Sequence, residues 1–200
     1  MRSFIVAVLL VIPSLAGAAP PPDFDARVQA ALERFDTPGA AVAIVEDGSV
    51  TLARGYGLRG LGSVEKVGAD TLFQIGSVSK AFTAAALATL VDEGKIGWDD
   101  PVVDHLPEFR MYDAWVTREI TVRDLLVHRS GLGLGQGDLL FVPATTISRA
   151  ETVRRIRHLK PVSSFRSTYA YDNVLYIVAG QLIEAVTGQT WEEYVRERLL

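Results

Sequence analysis

The chain has 200 residues, 48% of them apolar and 22% charged, and a net charge of −4 at neutral pH. That length supports one domain with a buried core, and the mild acidity lacks the basic patch that nucleic-acid binders carry. The absence of cysteine removes disulfides, thiolate metal sites and a cysteine nucleophile together.

The stretch MRSFIVAVLLVIPSLAGAAP places Arg2 before an apolar run from Phe4 to Leu15, followed by Ala16, Gly17 and Ala18. Charged, then apolar, then small residues is the order of a secretory signal. We assign it to residues 1–18, with cleavage after Ala18; cleavage after Ala19 is disfavoured by Pro20. The competing reading is a membrane anchor, but the run is shorter than the ~20 residues a spanning helix needs. The mature chain, 19–200, is expected to be periplasmic or secreted, with no stable membrane span. A cysteine-free chain suits that route, since an oxidising compartment cannot mispair it.

Asp25 to Phe35 reads as a short amphipathic helix. Ala40–Val45 and Val50–Tyr56 read as strands of a hairpin turning at Asp47-Gly48. GLRGLGSVEKVGADT is a glycine-punctuated loop. An apolar, alanine-rich helix is expected from Ser77 to about Glu93, stopped by Gly94. KIGWDDPVVDHLPEF holds turns and one short helical piece. Thr121 to His128 is expected as a helix capped by Thr121, GLGLGQGDLLFVP as a mobile loop near the site, and Arg149 to Leu159 as a helix. NVLYIVAGQLIEAVTG carries an apolar helical stripe ending at Gly188, and Thr190 caps a last helix still running at Leu200. One hairpin makes a poor sheet and the last helix has no stop, so further strands are expected beyond Leu200.

Two clusters carry chemistry. Only four lysines occur against sixteen arginines, and one of them, Lys80, sits in the apolar helix. Lysine is almost never fully buried unpaired. Positions i and i+3 share a helix face, so Lys80 can meet Ser77; Ser79 projects about 100° away. A serine hydroxyl needs a base to become a nucleophile. Desolvation penalises an ammonium relative to a neutral amine, and such an amine can take the serine proton. A free N–H at the helix start can stabilise an oxyanion. The alternative is that Ser77 only caps the helix while Lys80 snorkels to water.

The second cluster is STYAYDNVLYIVAG. Tyr171 and Asn173, two apart in extended backbone, point to one side. A tyrosine beside a cation can relay a proton, and an asparagine can hold an amide and orient a lysine. The alternative is a core aromatic and a helix cap.

FQIGSVSKAFTAAALATLVDEGKIGWDDPVVDHLPEF, then ITVRDLLVHRSGL, then YAYDNVLYIVAG and TGQTWEEYVRERLL together resemble the serine β-lactamase-related hydrolases. This group includes class C β-lactamases, penicillin-binding D-alanyl-D-alanine carboxypeptidases and related esterases. The resemblance runs from about Pro38 to Leu200. It implies an α+β fold of the β-lactamase/transpeptidase type, a helical subdomain packed on an antiparallel sheet. It also implies Ser77 as acylated nucleophile, Lys80 as its activating partner, Tyr171 as proton relay and Asn173 as a substrate and lysine contact. Asp172 departs from the serine usual in this motif; pointing inward, it would disfavour anionic substrates. A lysine- or histidine-led triplet ending in glycine, the family's third motif, is missing and expected past Leu200. The 200-residue chain is therefore expected to be poorly active alone.

His105, His128 and His158 show no zinc-site spacing. His128 reads as a helix-end histidine suited to the dipole, with a serine–histidine hydrolase as the rival mechanism. GLGLGQG fails as a dinucleotide fingerprint, and RRIRH reads as a solvated helix face. No cofactor is expected. The substrate is expected to be a small molecule or peptide with a scissile amide, ester or β-lactam carbonyl. The alternative is a non-catalytic member of the fold that binds peptidoglycan-like peptides or a partner, or a truncated inactive product.

Overall fold

Helix α1 (Phe24–Arg34) precedes a hairpin of β1 (Gly39–Glu46) and β2 (Ser49–Gly57). The computed structural model describes residues 20–200, so the expected signal segment lies outside the described residues. The chain forms two compact units, one ending at Gln74 and the other Ile75–Leu200.

In the first unit the strands pair antiparallel from Gly39 opposite Gly57 to Glu46 opposite Ser49, with a bulge after Ile44. Asp47 and Gly48 both take positive φ, 49° and 76°. That is the two-residue turn whose twist matches paired strands, and it is why Asp-Gly marked the hairpin. Tyr56 donates to Asp25 at 2.7 Å, and Arg54 also pairs with Asp25, tying β2 to α1. Val45 and Val50 remain exposed near the turn.

The second unit is helical. A 3-10 turn at Gly76–Val78 leads into α2 (Ser79–Asp92); α3 (Val102–His105), α4 (Ala114–Glu119), α5 (Arg149–Arg155), α6 (Val174–Thr187) and α7 (Trp191–Arg198) follow. Helix α2 ends as its glycine predicts. Gly94 has φ +66°, and Gly94 and Lys95 donate back to Val91 and Leu90 at 2.9 and 3.0 Å, the paired bonds of a Schellman stop. In α6, Leu175, Val178, Ala179, Leu182 and Ile183 are fully buried, at the spacing of one helix face. They pack in one core with Ala86, Leu87 and Leu90 of α2, Val153 of α5 and Val195 of α7. Burying each large aliphatic side chain contributes roughly 1.5–3 kcal/mol. Helix α7 is fixed at its start by a complete capping box between Thr190 and Glu193.

Three expectations change. Helix α2 is buried on one face only: Ala81 and Ala85 are exposed, because a run apolar on every side does not say which face is covered. Thr121–His128 is not an α-helix but a 3-10 turn, Arg123–Leu125. Thr121 and Asp124 do cap each other, but the Asp124 carboxylate is also claimed by Arg129 and Arg166, and His128 turns left-handed at φ 57°. Helix α4 was not foreseen; Asp113 caps it by accepting from the Trp115 and Val116 N–H groups, a signal visible in YDAW.

Candidate active site

The serine stands at the start of α2, before the regular helix begins. Gly76 takes φ +51°, which favours glycine, and the 3-10 turn it opens leaves Ser77 exposed. Lys80, one turn on, is half-buried and donates to Ser77 Oγ at 3.1 Å and to Asn173 Oδ1 at 2.7 Å. Tyr171 Oη donates to Ser77 Oγ at 2.7 Å. The four residues singled out in the sequence thus form one connected cluster, with Lys80 and Tyr171 on the Ser77 hydroxyl and Asn173 on Lys80.

Lys80 is not the dry amine its apolar helix suggested. Nζ sits in a polar cluster, 4.7 Å from the centroid of the Tyr171 ring and 5.1 Å from that of Tyr176. Its neighbour's acidity responds: the hydrogen-bonding interaction with Lys80, then that with Ser77, lowers the Tyr171 phenol below its ordinary value.

The tripeptide Tyr171-Asp172-Asn173 divides its work by side. Asn173 occupies the N-cap position of α6 without capping it. Its Oδ1 faces the lysine and its Nδ2 donates to Asp138 at 3.0 and 3.2 Å; oxygen to the cation and nitrogen to the carboxylate is the orientation that satisfies both. Asp172 takes over the capping, accepting from the Leu175 N–H at 3.4 Å. It is fully buried, so its carboxylate points into the core rather than toward substrate. Asp138 escaped the sequence reading, since a carboxylate in a glycine-spaced loop carries no signal of its own. That loop is anchored: Gly135 N–H donates to the Tyr171 carbonyl at 3.0 Å.

Burial raises the Asp172 carboxyl to about 6, with a hydrogen bond from Ser130 opposing the shift. A carboxyl that binds its proton more tightly folded than unfolded destabilises the fold increasingly as pH rises from 3.8 to about 6, and by the full amount above. Asp172→Asn keeps the shape and the acceptor for Leu175. It is expected to gain roughly 1–3 kcal/mol at about pH 8 and little at about pH 4, measured by urea unfolding at both. An equal effect at the two pH values would contradict this.

His128 does not end a helix and is not suited by a dipole. Burial, then the nearby Lys80 charge, lowers its pKa. Its Nδ1 accepts from the Asp172 N–H at 3.2 Å, and its ring stacks on Tyr171, not on Ser77.

A cleft of about 460 Å³ opens at Ser77 and Lys80, walled by Phe141, Tyr176, Ile177 and Trp191. Another, of about 510 Å³ between Trp115, Val162 and Phe165, holds none of the four residues; chemistry, not volume, picks the candidate site. Among the described residues no helix is long and apolar enough to cross a membrane.

Helices gathered on α2 and α6, with an antiparallel strand pair in the same chain, are shared with solved proteins of the β-lactamase/transpeptidase-like fold. The family model described as Beta-lactamase matches residues 24–200, and the chain belongs to that family. An Unguisins hydrolase, ungD', of Aspergillus campestris is 39% identical over 186 residues, 88% of this chain and 34% of that one. Penicillin-binding protein 4 of Amycolatopsis lactamdurans is 37% identical over 181 residues, 84% of this chain and 45% of that one. The octameric penicillin-binding protein homologue from Pyrococcus abyssi aligns with a TM-score of 0.74 at 28% identity, covering 88% of this chain and 41% of its own. The chain therefore spans between a third and a half of the length of these proteins.

Proposed function

We propose that this chain carries the acylating half of an exported serine hydrolase that acts on an amide, ester or β-lactam carbonyl. The observation that carries the reading is the double approach to Ser77 Oγ, by Lys80 Nζ at 3.1 Å and Tyr171 Oη at 2.7 Å. Relatives named hydrolase and penicillin-binding protein support it.

In this reading Ser77 Oγ attacks the carbonyl carbon while Lys80, acting as the base, takes the hydroxyl proton. The carbonyl π bond opens to an oxyanion. As that collapses, the bond to the leaving nitrogen or oxygen breaks, and Tyr171 hands the leaving group a proton replenished through Lys80. Water then cleaves the acyl–Ser77 ester, and Ser77 regains its hydrogen. Asn173 holds Lys80 in line through Oδ1, and Asp138 fixes that amide. Export rests on the charged, apolar and small-residue order of residues 1–18.

Exposure to a fluorophosphonate tests the nucleophile. The Ser77 Oγ–P bond forms, the P–F bond breaks and fluoride leaves with the serine proton transferred to the base. Intact-mass analysis is expected to show one phosphonyl group, mapped to Ser77 and missing in Ser77→Ala. A folded wild-type chain that stays unlabelled, or labels elsewhere, overturns the reading. On ester substrates, a version extended to the relatives' length is expected to turn over faster than these 200 residues; equal rates would contradict that expectation.

A further inference from the structure

We infer that His128 is a positioning residue: its imidazole and backbone clamp the segment on both sides of Tyr171 and hold the phenol at Ser77. This rests on the reading of Ser77 as nucleophile and Tyr171 as relay.

The clamp has three parts. The His128 carbonyl accepts from the Ala170 N–H at 2.9 Å, and His128 Nδ1 accepts from the Asp172 N–H at 3.2 Å. Between these two bonds lies Tyr171. Its ring stacks on the imidazole with centroids 4.4 Å apart and planes 30° apart. Tyr176 lies tilted against the same imidazole at 5.6 Å, and Tyr169 meets it edge-on at 5.6 Å. The histidine reaches this place by adopting φ +57°, a left-handed backbone that a residue with a side chain takes at some cost. The strain buys simultaneous use of its carbonyl and its ring on neighbouring residues.

The clamp also fixes a protonation state. A ring nitrogen that accepts a hydrogen bond carries no proton, so the neutral ring has its hydrogen on Nε2. The titratable groups facing it are Lys80 from α2, Tyr169, Tyr171 and Asp172 from the segment it clamps, and Tyr176 from α6. Protonation would turn Nδ1 into a donor facing a donor and set a second cation near Lys80. Burial and that charge both oppose it. As pH falls through the His128 pKa, one side of the clamp opens and Tyr171 loses its place.

Two variants separate ring from acceptor. His128→Asn tolerates the left-handed backbone and can accept from Asp172, but offers no stacking surface. His128→Phe keeps a ring and loses the acceptor. Both are expected to slow phosphonylation of Ser77 by roughly 10–100-fold while circular dichroism keeps the wild-type helical signal. The wild-type rate is expected to fall on the acid side in step with the His128 titration followed by NMR. That limb should vanish in His128→Phe and persist in Asp172→Asn, which removes the other group titrating near it. Wild-type rates and an unchanged acid limb in both histidine variants overturn the inference, as does loss of the limb in Asp172→Asn. NMR distinguishes this failure from failure of the functional reading. If wild type is never labelled, the serine-hydrolase reading falls. The clamp then stands if neutral His128 shows an Nε2–H tautomer and the Tyr171 ring resonances shift in His128→Asn; unshifted resonances overturn it too.

Discussion

Lys80→Met is expected to slow phosphonylation of Ser77 about 10³-fold, within the range that loss of a positioned acid–base group produces. Methionine follows the lysine stem closely in length, so packing along α2 is kept while the nitrogen is lost. Two contacts go with it, to Ser77 Oγ and to Asn173 Oδ1. The second loss matters less for stability, because Asn173 is only half-buried and water can replace the donor. Lys80→Arg should fail almost as badly, since a guanidinium keeps its protons and cannot serve as a base. Tyr171→Phe separates the two groups around the hydroxyl. Tyr171→Phe removes the 2.7 Å hydrogen bond to Ser77 Oγ, so it slows the attack on a fluorophosphonate at least as much as the His128 variants do, and if Tyr171 is also the relay it slows the leaving-group step on an amide further still. Removing Lys80 also removes the main cause of the lowered Tyr171 phenol, so any alkaline limb of the residual rate should move upward. The test is a time course of intact-mass labelling across pH. Rates for Lys80→Met within about threefold of wild type would exclude the lysine as activating partner.

The sequence exposed the site better than its supports, and the reason is physical. Ser77 and Lys80 are linked by helix periodicity, and Tyr171 and Asn173 by alternation, so each pair could be placed on one side from spacing alone. What joined the pairs, across 93 positions between Lys80 and Asn173, was family resemblance. Asp138 and His128 act through contacts set by loops, where no period constrains which way a side chain points. The same division runs through the fold. Gly94, Gly188 and Thr190 told where α2, α6 and α7 stop or start, because caps are local chemistry. Thr121–His128 misled, because its capping residues are real but the helix they would start is abandoned for a tertiary ion cluster. The direction of Asp172 was left open for a related reason: alternation sets it opposite Tyr171 and Asn173, but spacing does not say that on this chain the opposite side is the core.

That ion cluster governs the second large effect, on stability. Asp124→Ala is expected to cost about 3–5 kcal/mol in urea unfolding at neutral pH, as breaking a buried ion pair does. Asp124 is fully buried. It accepts from the Thr121 N–H and hydroxyl at 3.1 and 2.9 Å, from Arg129 at 3.0 Å and from Arg166 at 2.5 Å. Burial pushes its carboxyl up, but the hydrogen bonds from Arg166 and Thr121 outweigh that and hold it below the ordinary value. The sign follows: its stabilisation is full above 3.8 and is lost as pH falls through the lower, folded pKa. Arg129 and Arg166 are 42% and 38% exposed, so each can turn to water once the carboxylate is gone, which favours the low end of the range. Arg166→Met is the sharper control, because it leaves the buried carboxylate in place with a partner removed. Arg166 also donates to the Glu119 carbonyl at 3.1 Å, and its backbone N–H bonds the Arg129 carbonyl at 2.8 Å. The cluster therefore ties the turn after α4 to the strap that runs on to Tyr171. A double-mutant cycle on Asp124 and Arg166 should give a coupling of about 1–3 kcal/mol, and the single variants should slow Ser77 labelling through a displaced Tyr171 before they unfold the chain. Additive single effects with unaltered labelling would show that the cluster is a solvated surface pair with no hold on the site.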